Sequence, residues 1–333
     1  MNRENVSLGA KDHDIYQVLS DEEVFADLFN GALFGGSQLI RPEMLAQMNE
    51  KKYVNITGTV QGQKKVILKR LRDVQKSAEL RDGCLAVILA AEGQREIHFA
   101  MPVRSMLYDA VDYTSQVEQI TKAHMKQKDL KKRPEYLSGL KKEDRLLPVI
   151  TIVFYYGEEQ KWDGPLSLHD MLDIPPELEP WTECIQDYRI NLVCSSTVKS
   201  SNFRTGLREV FELLPLLKDK EGMKEFLEAR KNDFMHLEAK KGWLVSKFLN
   251  VPALKELKAE EKGEVDMCTA IEEMMDEREE LGIERGKEKG EIRVNQLIEI
   301  LLRQSGKNDA YEEIRRAVTD REYQKKLFDE FGI

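Results

Sequence analysis

Asp73 and Glu92 are the residues whose type and setting could do chemistry. Glu92 and Gln94 close an apolar run that begins at Cys84 and ends at Ala91, and Asp73 follows Arg72 on the stretch before it. Side chains on a strand alternate between faces, so Glu92 and Gln94 point the same way and Gly93 points away. Asp73, on a neighbouring strand, can face them. Carboxylates that converge in this way hold a hard cation such as Mg2+, with Mn2+ as a substitute. Phosphodiester hydrolysis also needs a group to position a water, and the Gln94 amide can do that. Being neutral, Gln94 cannot supply positive charge in the transition state. The same pattern also describes polar strand ends that face water.

These residues need elements to position them. Residues 1–20 read as a leader with a short helix. An amphipathic helix then runs to about residue 34: Ser20 is its N-cap, Glu22 and Glu23 fill its first turn, and Val24, Phe25, Leu28, Phe29 and Leu33 recur at helical spacing. Gly35 and Gly36 end it. Strands are expected over 52–56 and 65–71, with 72–80 extended, a turn at Asp82 and Gly83, and a central strand over 84–91 covered on both faces. Met101 and Pro102 open a long helix to about residue 128, and a Lys-rich connection follows. The run from Val149 to Tyr156 is β-branched and aromatic with a Gly157 stop, and residues 189–194 form a last strand.

Beyond residue 202 the periodicity is helical over 203–217, 221–230, 232–250 and 264–303, with a final pair over 308–331, and no strand is expected. Gly282, Gly286 and Gly290 recur every four residues. Each weakens a water-exposed helix by up to ~1 kcal/mol, so close packing on a partner, a fraying hinge and a loose charged linker all remain readings. The expected division is an α/β domain over 1–200, a helical extension over 201–252, and a charged helical tail over 253–333 serving oligomerisation or regulation.

The 333 residues suffice for a sizeable core, and no apolar run reaches the ~18 residues of a membrane span. With no signal-peptide core at the start, a cytoplasmic protein without membrane partners is expected. The four cysteines show no paired metal spacing, and His98, alternating with apolar neighbours, reads as a packing residue. The net charge is −9, yet residues 121–145 carry nine Lys and Arg against four acids, whereas residues 255–290 carry thirteen acids against seven bases. A nucleic acid would prefer the first segment, around Lys131, Lys132 and Arg133, and be repelled by the second.

Several short segments come in a recognisable order over about residues 20–195. They are Phe25 to Asn30, Arg72 with Asp73 and Val74, Asp82 with Gly83, Glu92 with Gly93 and Gln94, Met101 to Asp109, and Pro148 to Gly157 followed by Trp162 to Pro165 and Leu168. With these segments the chain resembles the bacterial recombination-promoting nuclease and putative transposase family, a branch of the PD-(D/E)XK nucleases. The resemblance implies a restriction-endonuclease-like mixed central sheet flanked by helices. It implies a Mg2+-dependent endonuclease acting on DNA with low sequence specificity, and a homodimer suited to cutting both strands. Asp73 and Glu92 become the metal acids, and Gln94 takes the superfamily's lysine position. An acid of the first helix completes such sites, here Glu23 or Glu22, or else Asp27. Arg104 is expected on a phosphate and Tyr108 in the cleft wall. The alternative reading is a nuclease fold that has lost catalysis and serves as a binding module.

Overall fold

A computed structural model describes residues 14–48, 51–56, 66–71, 73–81, 84–157, 161–304 and 307–333. Arg72, Asp82 and Gly83, and with them the expected turn, lie outside the described residues. The chain divides into two compact units, Met1–Ala270 and Ile271–Ile333.

The first unit is built on a mixed five-stranded sheet. Its strands are β1 (Leu45–Gln47), β4 (Val74–Arg81), β5 (Cys84–Gln94), β6 (Val149–Tyr155) and β7 (Asn191–Val193), hydrogen-bonded in that order. The β1–β4 and β4–β5 pairs are antiparallel; β5–β6 and β6–β7 are parallel. The apolar run of β5 thus becomes the central strand, with Ile88, Leu89, Ala90 and Ala91 all buried. The two strands expected before Arg72 form a separate antiparallel hairpin, β2 (Lys51–Ile56) with β3 (Val66–Leu71).

Helix α3 (Met101–Gln127) covers one face of the sheet. It docks through polar pairs as well as apolar ones. Asp112 accepts from Gln75 Nε2 at 2.7 Å and Asp109 from Thr151 Oγ1 at 2.6 Å, and Arg104 reaches Glu92 at 3.2 Å. Arg104 and Asp112 are eight residues apart, and Asp109 between them meets Thr151 of β6, so polar groups along this helix reach the sheet from several of its turns.

The opposite face is covered by residues 14–20, which are helical and here called α1, and by α2 (Glu22–Ala32). Ile15, Val18 and Leu19 are buried, so residues 14–20 are part of the core rather than a leader. The α2 N-cap is Asp21, whose carboxylate accepts from the backbone N–H of Glu23 and Val24; Ser20 instead bonds back to Tyr16 O. Gly35 and Gly36 follow with φ of +61° and +87°, the left-handed conformation that stops the chain after a helix.

Helices α5 (Leu207–Leu213), α6 (Lys220–Ala229), α7 (Lys231–Met235) and α8 (Ala239–Leu249) belong to this unit. Aromatic contacts bind two of them to the sheet. Phe154 of β6 stands 5.5 Å from Phe211 of α5 and 5.1 Å from Phe248 of α8, centroid to centroid. The helical stretch over 232–250 is interrupted, because Leu237–Glu238 (β8) pairs with Glu264–Val265 (β9). Two residues per strand are too short to leave an alternating signature.

Gly31, near the end of α2, lets the Phe203 ring approach the helix. A Cβ added there would overlap the ring, standing 2.8 Å even from Cζ. Phe203 is itself fixed, buried and 4.7 Å from the Phe211 ring. Alanine favours a helix over glycine, but overpacking opposes it. Gly31→Ala is expected to lower stability by about 1–2 kcal/mol in urea unfolding. A gain in stability would mean that the ring is free to move.

The chain continues in α9 (Met267–Gln304), a single helix that runs through Gly282, Gly286 and Gly290 with open space at each Cβ position. The second unit also holds α10 (Lys307–Thr319) and α11 (Arg321–Phe331). Its core is Leu297, Leu301, Ala317 and Leu327, with Ile314, Tyr323 and Phe328 against them. Among the described residues no helix is long and apolar enough to cross a membrane.

Candidate active site

The strand pairing brings Asp73 and Glu92 together. The antiparallel ladder begins where Val74 pairs with Ala91, so Asp73 stands one residue before it on the β4 side and Glu92 one residue past Ala91 on β5. Glu92 bonds to Arg104 of α3, and Asp73 adds to the negative charge around the same guanidinium. The Asp73 carboxylate is fixed by the Gly93 N–H, which donates to Oδ2 at 2.8 Å.

Beside this pair a cleft of about 310 Å³ opens at the end of β5. Asp73, Gln94 and Arg104 line it with Tyr16 and Tyr156, and Arg95, Glu96 and His98 extend the lining past the strand. Glu92 is not part of the lining: it is wholly buried, and the Arg104 guanidinium meets its Oε2 at 3.2 Å. Arg104 also donates through Nε to Tyr108 Oη at 3.0 Å and lies over that ring. Tyr108 therefore backs Arg104 from inside the protein instead of lining the cleft. Burial opposes the Arg104 charge, but Glu92 and then Tyr108 and Asp73 outweigh it, so its pKa is raised.

The first-helix acids are engaged elsewhere, and none lines the cleft. Glu23 is paired with Lys240, Glu22 is 3.9 Å from Lys76, and Asp27 accepts from the backbone of Arg204 and Thr205. His98 is exposed at the cleft and not packed. Tyr16 and Tyr156 escaped the sequence reading because nothing in their neighbourhoods marks them; Arg95, Glu96 and His98 simply continue the segment after Gln94.

No family model, curated protein or solved structure matches this chain.

The fit to a divalent cation can be judged from the donors. Asp73, Glu92 and the Gln94 carbonyl are all hard oxygens, and Mg2+ is commonly held by one or two carboxylates with water completing its shell. Of these donors, Asp73 and Gln94 line the cleft, whereas Glu92 is buried and paired with Arg104, so an ion using Glu92 would have to displace that guanidinium. Among the described residues no group of three or more His, Cys, Asp and Glu gathers to form a fuller cage.

Lys131, Lys132 and Arg133 are exposed, around the start of α4 (Arg133–Ser138) beyond the far end of α3. From Arg104 to its end at Gln127, α3 spans about 35 Å, and the segment follows the turn beyond that end. A polar cluster secures this turn. His124 Nδ1 is 2.8 Å from Asp129 and Nε2 is 2.8 Å from Asp144, while Lys141 pairs with Asp129. Asp144 first, and then Asp129, hold the His124 pKa above its usual range. Lys141 holds Asp129 low, and the Lys141 backbone N–H followed by His124 holds Asp144 low.

The signs fix the pH window. The raised histidine stabilises the turn fully below its unfolded pKa of about 6.5, and loses that contribution as pH rises through the folded value. The lowered carboxylates contribute above about 3.9 and lose it as pH falls through their folded values. Hydrogen-exchange protection over residues 129–144, corrected for intrinsic rates, should fall as pH rises from about 6.5 through the raised folded pKa of His124. In His124→Gln that pH dependence should disappear; its persistence would show that another group governs the turn.

Proposed function

We propose that the cleft lined by Asp73, Gln94 and Arg104, with Glu92 buried behind Arg104, is the centre of a metal-dependent DNA endonuclease of low sequence specificity. The observation that carries the reading is the convergence of Asp73, Gln94 and Arg104 in one open cleft, with Glu92 buried directly behind Arg104. It agrees with the resemblance to the recombination-promoting nucleases. Mg2+ or Mn2+ held by Asp73 and Glu92 would supply Lewis acidity and an activated water. The Gln94 amide orients that water. Arg104 is a guanidinium already at the cleft, able to meet the phosphate charge that Gln94 cannot. A duplex lying along α3 would meet Arg104 near one end of the helix and come towards the exposed Lys131–Arg133 segment past the other. Those backbone contacts would weaken steeply with salt. Cutting both strands calls for two centres, hence a homodimer, and the second unit is the proposed means of pairing or regulating it.

The test is nicking of supercoiled plasmid with Mg2+, Mn2+, Ca2+ or EDTA, for wild type, Asp73→Ala and Glu92→Gln. Activity should require Mg2+ or Mn2+ and be abolished by Asp73→Ala with folding intact. Equal nicking by that variant would remove the assignment.

A second reading has its own observation. Arg104 already neutralises Glu92 at 3.2 Å, and Gln94 carries no charge. A fold retained for binding, with catalysis lost, would look like this. Mn2+ separates the two readings: an intact centre raises the melting temperature with occupancy in wild type and not in Asp73→Ala.

A further inference from the structure

A second cleft, of about 400 Å³, opens among the helices of the first unit, between α5, α7 and α8. Glu209 of α5 lies in its wall, only 4% exposed. Its Oε1 is 3.4 Å from Lys241 Nζ. Its Oε2 is buried and meets no donor among the described residues. A carboxylate oxygen withdrawn from water with no donor bears its full desolvation penalty, and native structures seldom leave one so.

The neighbouring cations have other partners. Arg230 donates to Glu212 at 2.7 Å and to Asp233 at 3.0 Å, held between the Phe226 and Phe234 rings. Arg208 is 3.4 Å from Glu212. The cleft lining balances Arg208, Arg230 and Lys241 against Glu209, Asp233 and Glu238, and a further donor to Glu209 would have to enter from the cleft. Among the described residues no group of three metal-ligating side chains gathers there, so one deep carboxylate favours a nitrogen cation over a metal ion. The volume falls in the range of small-ligand sites, roughly 300–1,000 Å³.

We propose that this cleft binds a small aliphatic molecule bearing an ammonium or guanidinium group, whose N–H groups donate to Glu209 Oε2. The site is separate from the cleft lined by Asp73 and does not depend on the nuclease reading. The full-length protein would be titrated by calorimetry and thermal melting with putrescine, L-arginine and methylguanidine, against potassium chloride and sodium acetate at equal ionic strength. Saturable binding of at least one nitrogen cation is expected, with a dose-dependent rise in melting temperature. Glu209→Gln, nearly the same shape, should weaken it by about tenfold or more. Lys241→Met, which removes the competing ammonium and keeps Glu209, should tighten it. No saturable binding, a melting shift matched by potassium chloride, equal affinity in Glu209→Gln, or unchanged or weaker affinity in Lys241→Met would each overturn the proposal.

Discussion

Arg104→Met should lower the unfolding free energy by about 3 kcal/mol, the low end of what breaking a buried ion pair costs. Glu92 is wholly buried, whereas the Arg104 side chain is 29% exposed. Truncating the arginine strands a charge that is far from water, although some solvent can follow through the cleft. Methionine keeps the aliphatic stem but loses the guanidinium that lies over Tyr108 and bonds its hydroxyl, so the loss reports those contacts together with the Glu92 pair. The partner variant makes the argument sharper. Glu92→Gln in the Arg104→Met background should recover part of the loss, because an amide has less to lose by burial than a carboxylate. A double-mutant cycle in urea would give the coupling. A loss below roughly 0.5 kcal/mol would put the pair among solvent-screened contacts, and Arg104 could then leave Glu92 at little cost. A large coupling would mean that a cation entering near Glu92 must compete with a guanidinium already there.

The strand framework was legible because its signals are local. The apolar run of β5 and the β-branched run of β6 declare central strands, and Pro102 marks the start of α3. The antiparallel pairing of the two consecutive strands β4 and β5, which brings Asp73 near Glu92, was legible for a related reason: strands next to each other in sequence are natural partners. The burial of Glu92 beneath Arg104 was harder to read. Nothing in the spacing says which of two carboxylates will receive the helix that follows. The polar groups of α3 explain why: Arg104, Asp109 and Asp112 look like a solvated helix face in the sequence, yet each finds its partner on the sheet.

The boundary expected near residue 200 was drawn from the end of the strands. It gave no weight to where the aromatic residues of the later helices would pack. Phe203, Phe211 and Phe248 look like ordinary helical core positions, and only the fold shows that Phe154 of the sheet shares their cluster. The helices that carry them consequently lie in the same unit as the sheet. The role of Asp27 was concealed in the same way, because its partners are about 177 residues away in sequence.

Asp27→Ala should therefore be among the most damaging single changes, lowering stability by about 4 kcal/mol. Asp27 is 4% exposed. Its carboxylate accepts from the Arg204 N–H at 3.0 Å, the Thr205 N–H at 2.8 Å and the Thr205 hydroxyl at 2.7 Å. Alanine leaves those donors without their acceptor, each costing about 1–3 kcal/mol if water cannot reach it. It also frees the segment that leads into α5. Asp27→Asn keeps one acceptor oxygen and should lose less, about 1–2 kcal/mol. Hydrogen exchange would locate the effect, with protection falling first around residues 203–207. The same experiment decides between two roles for this acid. As a clamp, Asp27 governs stability, and Mn2+ should still raise the melting temperature of Asp27→Asn through Asp73 and Glu92. As the third acid of a metal centre, its neutralisation would remove the Mn2+ shift while leaving stability within about 1 kcal/mol of wild type. The three hydrogen bonds favour the clamp, which leaves Asp73 and Glu92 as the carboxylates on which the proposed chemistry rests.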